Sequence, residues 1–539
     1  MIPFLSRRSF GAGALAAGLI GRSRPSTAQE LPRAGGTLVA TWGGLDGSGA
    51  EPRAPYVPTG GGPGPTLVSS KVLERLARRG LGGFVGVLAE SWRPALGFKS
   101  YTIRIRDGVT FHDGKPMTAA DVAFSIGEIW KKHALPEAMA DVVAVEAADE
   151  GAVTVRYSRP VPPLSFSALL CSSDAYVVPR HVYAGSDPRT NPANDAPIGT
   201  GPFKFRQWAR GSHIELVRNE RYWQKDLPHL ERLIVRYIGD AADRAAALEA
   251  GEVQLGLLNA VTAQDAKRLA GADTFAVTSS GYDEPVWATT LECNLRRPAL
   301  AKREVRQAMF HAIDRAFIAR SIFQGRARPG TGPIFSTNKA LYSVDIHRTA
   351  FSPSKAASLL DEAGYPKKKE DGKRLSLELV AAGWFAENVK VGSYLKQALE
   401  EVGVAVDLIV ADRATALQRI YGDYDFDLAV SNQANPSEPV PWTTQYYTSS
   451  GIAQGMPFRN ASGYSNPELD ALVDGIKVEI DALKRRDMVA AFQRIVTRDA
   501  PLLPLVEHAP VTVAARRVQN HSNDPDFLGA SWHDLWLAP

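Results

Sequence analysis

At 539 residues, with 45% hydrophobic, 9% aromatic and 22% charged side chains, the chain has a globular composition that excludes a disordered or fibrous protein. One hydrophobic core rarely grows past about 250 to 300 residues, so at least two lobes are expected. The formal charge of +4 falls to zero once the first 28 residues, with four arginines and no acid, are set aside. A neutral body offers no electrostatic footprint for nucleic acid or an anionic membrane, and its remaining Lys and Arg read as solvated faces.

The N-terminus reads as an address. Arg7-Arg8 precedes a weakly apolar stretch from Ser9 to Gly21, followed by Arg22, Arg24 and the small-residue pattern Ser26-Thr27-Ala28. This resembles a twin-arginine export signal over residues 1–28, which implies a periplasmic protein. Thirteen residues are too few to span a bilayer, which takes about 20, and no later segment supplies an apolar run of that length.

In the body, Thr37 to Thr41 is strand-like, and the Gly- and Pro-rich stretch from Leu45 to Pro65 reads as loop. Tyr101 to Arg106 alternates apolar and polar residues as a half-buried strand does. Thr118 caps a helix with Asp121 three residues on, and Val122, Ile126, Ile129 and Trp130 face inward. The apolar spacing of Val305, Ala308, Met309, Ala312, Ile313, Ala316 and Phe317 predicts one helix from Lys302 to Gln324, with Arg303, Glu304, Arg306, Asp314 and Arg315 off its buried face. Ser352-Pro353 opens another helix that Gly364 closes, and Glu387 to Val402 forms a third, ended by Gly403. Strands follow at Val404 to Val410 and Phe426 to Ser431, so the class is α/β with mixed sheets.

No strong catalytic motif is present: no His-Glu-x-x-His, no Gly-x-Ser-x-Gly and no phosphate-binding loop. His112-Asp113 reads as a turn element rather than a base and its orienter. Asp423, Asp425 and Asp427 alternate beside Tyr424, Phe426 and Leu428, which reads as a strand entering a core rather than a calcium loop. Cys171 and Cys293 exclude a disulfide scaffold or a four-cysteine metal site and read as two free, buried thiols. Tryptophans beside Gly, Pro or an aromatic in apparent loops are cleft candidates: Trp42, Trp384 with Phe385, and Trp442.

Several collinear stretches together resemble the dipeptide, oligopeptide and nickel-binding branch of extracytoplasmic solute-binding proteins that feed ATP-driven importers. They include Leu88-Ala-Glu-Ser-Trp92, the run from Thr102 to Pro116, Ile198-Gly-Thr-Gly-Pro-Phe203, Arg218-Asn-Glu-Arg-Tyr-Trp223, Ala247-Leu-Glu-Ala-Gly-Glu252, Val305-Arg-Gln-Ala308 and Leu359-Leu-Asp-Glu-Ala-Gly-Tyr365. The resemblance implies a two-lobed periplasmic-binding-protein fold with hinge crossover strands near Val286 to Glu292 and Leu502 to Glu507. Lobe I would comprise residues 29–285, with an extra subdomain inserted at about 66–197, and return as 506–539. Lobe II would comprise 286–505.

The implied function is binding of a small peptide-like or otherwise polar and apolar solute, without catalysis or cofactor, by a monomer that delivers it to a membrane permease. Members that take free peptides place a carboxylate after the strand here represented by Phe426 to Ser431, whereas this chain reads Asn432-Gln-Ala-Asn-Pro-Ser-Glu438. The neutral run suits carbonyl, hydroxyl or amide groups better than an ammonium. Asn432, Gln433 and Asn435 are therefore expected to meet the ligand, with Glu438 as a substitute anchor if its loop turns inward. The rival readings are a secreted cofactor-dependent enzyme and a nickel or metallophore receptor of the same fold that uses His181, His213 or His508.

Overall fold

The structure is a computed structural model that describes residues 31–539, apart from 45–47, 60–61, 81, 149–150 and 285. The stretch expected to be an export signal, residues 1–28, lies outside the described residues. Two large mixed sheets organise the molecule. The first has seven strands in the order Phe275–Thr278, Thr512–Ala515, Leu255–Leu257, Thr37–Trp42, Arg232–Arg236, His213–Arg218 and Phe203–Ala209. Thr37–Trp42 runs parallel to both of its neighbours, and the other pairs are antiparallel. The second sheet has six strands in the order Ala327–Pro329, Leu502–His508, Val286–Cys293, Leu428–Asn435, Leu375–Ala382 and Val404–Ala411. The chain passes from the first sheet to the second between Thr278 and Val286, and returns between His508 and Thr512.

A four-stranded antiparallel sheet, Ala89–Pro94, Ser100–Ile105, Ala152–Tyr157 and Val142–Ala148, forms an insertion with its own core. Alternation along Ser100–Ile105 buries Tyr101, Ile103 and Ile105 and exposes Thr102 and Arg104. The Thr118 backbone N–H donates to the Asp121 carboxylate at 2.9 Å, and Val122, Ile126, Ile129 and Trp130 are buried beneath that helix. The expected start of the insertion near residue 66 falls inside the helix Pro63–Val72, whose Leu67, Val68 and Val72 pack into the core of the seven-stranded sheet.

The single helix expected from Lys302 to Gln324 is broken. Arg303–His311 stops, and Asp314 starts a new turn by accepting the Phe317 N–H at 2.9 Å. A short polar side chain that caps locally competes with the continuing helix. Arg306, expected on the solvated face, is buried and donates to the carbonyls of Asp499, Leu300 and Ala301. The helices Pro353–Glu362 and Ala386–Glu401 form where the sequence places them, and Ser352 caps the first.

The strand expected from Phe426 to Ser431 runs on to Asn435. It pairs antiparallel with Val286–Cys293 over eight residues, from Leu428 opposite Cys293 to Asn435 opposite Val286. The run from Asn432 to Asn435 is therefore a central strand and not a loop. Continuous pairing with Val286–Thr289 overrides the turn preference of its asparagines.

Candidate functional site

A cavity of about 430 Å³ lies where the first sheet's helix Pro63–Val72, the insertion, the passages between the sheets and the second sheet's central strands converge. Its first wall is the segment that continues the helix Pro63–Val72 and carries Glu74, Arg75, Arg78 and Arg79. Conserving the direction of this segment falls to its packing. Gly199 and Gly201 press against the end of the helix, where a β-carbon on Gly199 would stand 2.0 Å from the Val72 carbonyl oxygen. The Gly201 N–H donates to that oxygen at 2.9 Å. Thr200 and Tyr222 hydroxyls and the Trp223 indole donate to the Glu74 carboxylate at 2.9, 2.7 and 3.0 Å. The stretches Ile198 to Phe203 and Arg218 to Trp223 are thus the seat of Glu74, and Arg75 is aimed from it. Burial pushes the Glu74 carboxyl up to about 7 against these three donors.

The second wall is the C-terminal return. Lys71 is wholly buried, donates to the Leu528 carbonyl at 2.8 Å and stands 4.1 Å from the Trp532 ring centre. It clamps the loop that presents Asp526 to Arg75 at 2.9 Å and Asp524 to Arg78 at 3.2 Å. Arg75 and its neighbours were read as solvated surface, and the structure corrects this, because Arg75 is 8% exposed and lines the cavity. The run Glu74-Arg75-Leu76-Ala77-Arg78-Arg79, directly after an apolar helix, is the signal that composition alone passes over.

The third wall belongs to the passage into the second sheet and to the segment after Asn435. Arg79 meets Glu284 at 3.8 Å and donates to the Ser437 hydroxyl. Glu284 also accepts the Ser437 backbone N–H at 3.0 Å. Glu438 lines the cavity, but its carboxylate is already engaged. One oxygen takes Arg485 at 2.5 Å and the Val440 N–H at 3.0 Å, and the other takes the Ser165 hydroxyl of the insertion at 3.1 Å. Trp442 lines the cavity and packs against the insertion core.

The remaining expected contacts lie elsewhere. Trp42 belongs to the core of the seven-stranded sheet, with its ring against Gly64. Trp384 packs on Phe458, and its indole N–H donates to the Asn432 amide oxygen at 2.9 Å. Asn432 also accepts from Asn388 at 2.7 Å and donates to the Thr289 hydroxyl at 3.2 Å. Asn435 donates to the Pro333 carbonyl, Gln433 is buried in the central strand, and Phe385 packs with its ring 5.6 Å from that of His508. None of these six borders the cavity. The Asn432 and Asn435 amides are taken up by the protein, and the neutral run meets the cavity through Ala434, Pro436 and Ser437.

The metal readings are dispersed. His181 pairs with Asp113 at 2.6 Å, His213 starts an inner strand of the first sheet and bonds Ser212, and His508 bonds Thr289 at 2.9 Å. Burial pushes the His508 imidazole down to about 3, so it is neutral. Among the described residues no three His, Cys, Asp or Glu side chains gather to hold a metal. Asp425 and Asp427 pair with arginines, Asp425 with Arg419 at 2.8 Å and Asp427 with Arg297 at 2.9 Å. Cys171 and Cys293 are free thiols, Cys293 buried and Cys171 half-buried at the cavity.

Residues 83–454 match the sequence profile described as bacterial extracellular solute-binding proteins, family 5 middle. A Brucella ovis protein, named as a candidate ABC transporter peptide-binding protein, is 30% identical over 304 residues, covering 53% of this chain and 53% of that protein. The chain thus spans about half the length of that relative. The glutathione-binding protein GsiB of Pectobacterium atrosepticum is 26% identical over 479 residues, covering 85% of this chain and 88% of GsiB. The oligopeptide-binding protein AppA of Bacillus subtilis, solved with a nonapeptide, superposes with a TM-score of 0.77 at 22% identity, covering 94% of this chain and all of that one. The fold is the two-lobed periplasmic-binding-protein fold, and the chain belongs to family 5 of the bacterial extracellular solute-binding proteins.

Proposed function

We propose that this protein is an exported solute receptor that encloses a small peptide-like molecule between its two lobes and delivers it to the membrane permease of an ATP-driven importer. The observation that carries this reading is the placement of the cavity, whose walls come from both lobes and the insertion together. A volume of about 430 Å³ lies within the range of small-molecule sites. Side-chain contacts also join the two halves: Arg79 with Ser437, Ser165 with Glu438 and Arg459 with Glu137. The names of GsiB and AppA support a peptide-like solute. The reading assigns binding and no chemical step.

A ligand that bridges the lobes binds the folded state and not the unfolded chain. At one hundred times its dissociation constant it stabilises by ~2.7 kcal/mol. At roughly 2 to 4 °C per kcal/mol for a large domain, the melting point rises by several degrees. The X-ray scattering radius falls at the same time, because hinge closure brings the lobes together. The experiment is a thermal-shift screen of short peptides, followed by scattering on each hit. A saturating hit that moves neither quantity removes the closure reading.

Export by the twin-arginine route is part of the same proposal, supported by Arg7-Arg8 before the weakly apolar stretch. Replacing both with Lys is expected to leave unprocessed precursor in the cytoplasm, read by fractionation and immunoblotting. An unchanged periplasmic yield would remove the route.

A further inference from the structure

We propose that Asp174, on the insertion's wall of the cavity, receives the ammonium group of the bound solute. This rests on the receptor reading above and names the chemistry its ligand carries.

Six carboxylates line the cavity, and five are already engaged by the protein. Asp526 is held by Arg75 at 2.9 Å, Asp524 by Arg78 at 3.2 Å, and Glu284 by Arg79 at 3.8 Å with the Ser437 N–H. Glu438 is held by Arg485, and Glu74 by its three neutral donors. Asp174 is the sixth, and among the described residues it has no Lys, Arg or His partner within ion-pair distance.

The groups that face Asp174 do not supply one. Arg75 is the cation whose field it feels, and Arg75 places Nη1 on Asp526 and on the Cys171 carbonyl. Ser173 beside it offers a hydroxyl, and Tyr56, from the loop before the helix Pro63–Val72, offers a buried phenol. Burial pushes the Asp174 carboxyl up to about 6, with Arg75 pulling the other way. Asp174 is half-buried at the cavity wall with no cation of the protein paired to it, so an ammonium arriving in the cavity would complete its charge.

The rest of the cavity fits a cation with an apolar body. Tyr176, Tyr282, Trp287 and Trp442 line it, and aromatic faces attract an ammonium while resting against apolar groups. The run Asn432 to Ser437 brings only the neutral residues Ala434, Pro436 and Ser437 to the cavity, so a carboxylate for a free amine has to come from another wall. An anchor on the insertion's wall also gives the ammonium a role in closure, because the remainder of the solute must then reach the second lobe.

The experiment is titration calorimetry with a set of di- and tripeptides, each offered free and N-acetylated, against the wild type, Asp174→Asn and Asp174→Glu. Free peptides are expected to bind the wild type, with acetylation weakening them by about tenfold or more, as for loss of a hydrogen bond between charged groups. Asp174→Asn is expected to bring the free peptide down to the affinity of its acetylated twin and to leave the twin unchanged, while Asp174→Glu keeps a preference for the free form. Melting curves check the fold. Asn keeps the shape and removes a buried charge, so it is expected to melt no lower than the wild type, which separates loss of an anchor from loss of structure. If free and acetylated peptides bind the wild type equally, or Asp174→Asn holds the free peptide as tightly as the wild type does, the assignment of Asp174 is wrong and the receptor reading stands. If neither form binds, the peptide-like reading fails and the assignment falls with it.

Discussion

Replacing Glu438 with Gln is expected to cost about 3 to 5 kcal/mol of stability, the range for breaking a buried ion pair by removing one partner. The carboxylate and Arg485 are only 4% and 3% exposed, and their polar atoms meet at 2.5 Å. Once the carboxylate becomes an amide, the Arg485 guanidinium keeps its charge and cannot move to water, because the helix Ala482–Asp499 that carries it is packed into the second lobe's core. At roughly 2 to 4 °C per kcal/mol the melting point falls by about 10 °C. The double variant Glu438→Gln with Arg485→Met removes both charges and is expected to recover most of the loss, since an apolar replacement for a buried pair is often neutral. The coupling is read from a double-mutant cycle of denaturant midpoints. It should persist at high salt, which screens exposed pairs and not buried ones. A single-variant loss below about 1 kcal/mol would place the pair among exposed ion pairs and refute its structural role.

That pair also shows why part of the site was legible in the sequence and part was not. Glu438 and Trp442 were singled out from sequence, and both border the cavity. They follow a proline-bearing break after a strand, where side chains are free to point into a cleft. Asn432, Gln433 and Asn435 do not border the cavity, for a tertiary reason. Asn-Gln-Ala-Asn-Pro has the composition of a turn, but its backbone is paired by Val286–Cys293 as far as Asn435, and the Asn432 amide completes a buried network with Trp384, Asn388 and Thr289. Trp42 failed because a tryptophan beside glycines can equally be packed against them, as Gly64 under its ring shows. Arg75, Asp174 and Asp526 come from sequence positions 75, 174 and 526 and meet only through the fold, so no spacing pattern announces them.

The architecture was more legible because it depends on local rules. Period-two alternation marks Ser100–Ile105, Ser352-Pro353 marks a helix start, and Gly364 and Gly403 with positive φ close two helices. The long helix after Lys302 was misread where Asp314, a capping residue inside an apolar pattern, breaks it with the help of a hydrogen bond from its backbone N–H to the Tyr394 hydroxyl at 2.9 Å. The apolar period continued across the break because both pieces pack on the same core.

The second large effect concerns Glu292, whose side chain is wholly buried on the central strand Val286–Cys293. Burial pushes its carboxyl up from 4.5 to about 8, against the opposing pull of the Ser462 and Ala461 backbone N–H groups and of Arg296. The unfolded chain releases this proton near pH 4.5, whereas the folded protein holds it until about pH 8. In that window the native state binds more protons than the unfolded state, so stability falls as pH rises from 4.5 and levels above 8. Integrated over the window, the loss is about 5 kcal/mol. Glu292→Gln keeps the shape and the donor-plus-acceptor character of the protonated acid and cannot ionise. It is expected to match the wild type near pH 5 and to exceed it progressively toward pH 9. Other buried groups tilt the whole-protein profile: Glu74 in the same direction, and the depressed imidazoles His112 and His508 in the opposite direction below about pH 6.5. The informative quantity is therefore the difference between variant and wild type in denaturation free energy at each pH. A difference that is the same at pH 5 and pH 9 would mean that Glu292 ionises as easily in the fold as outside it. A difference that grows with pH carries a functional consequence, because Tyr446 feels the Glu292 charge and also lines the cavity. Ionisation of this buried residue would then change the field at one wall of the cavity.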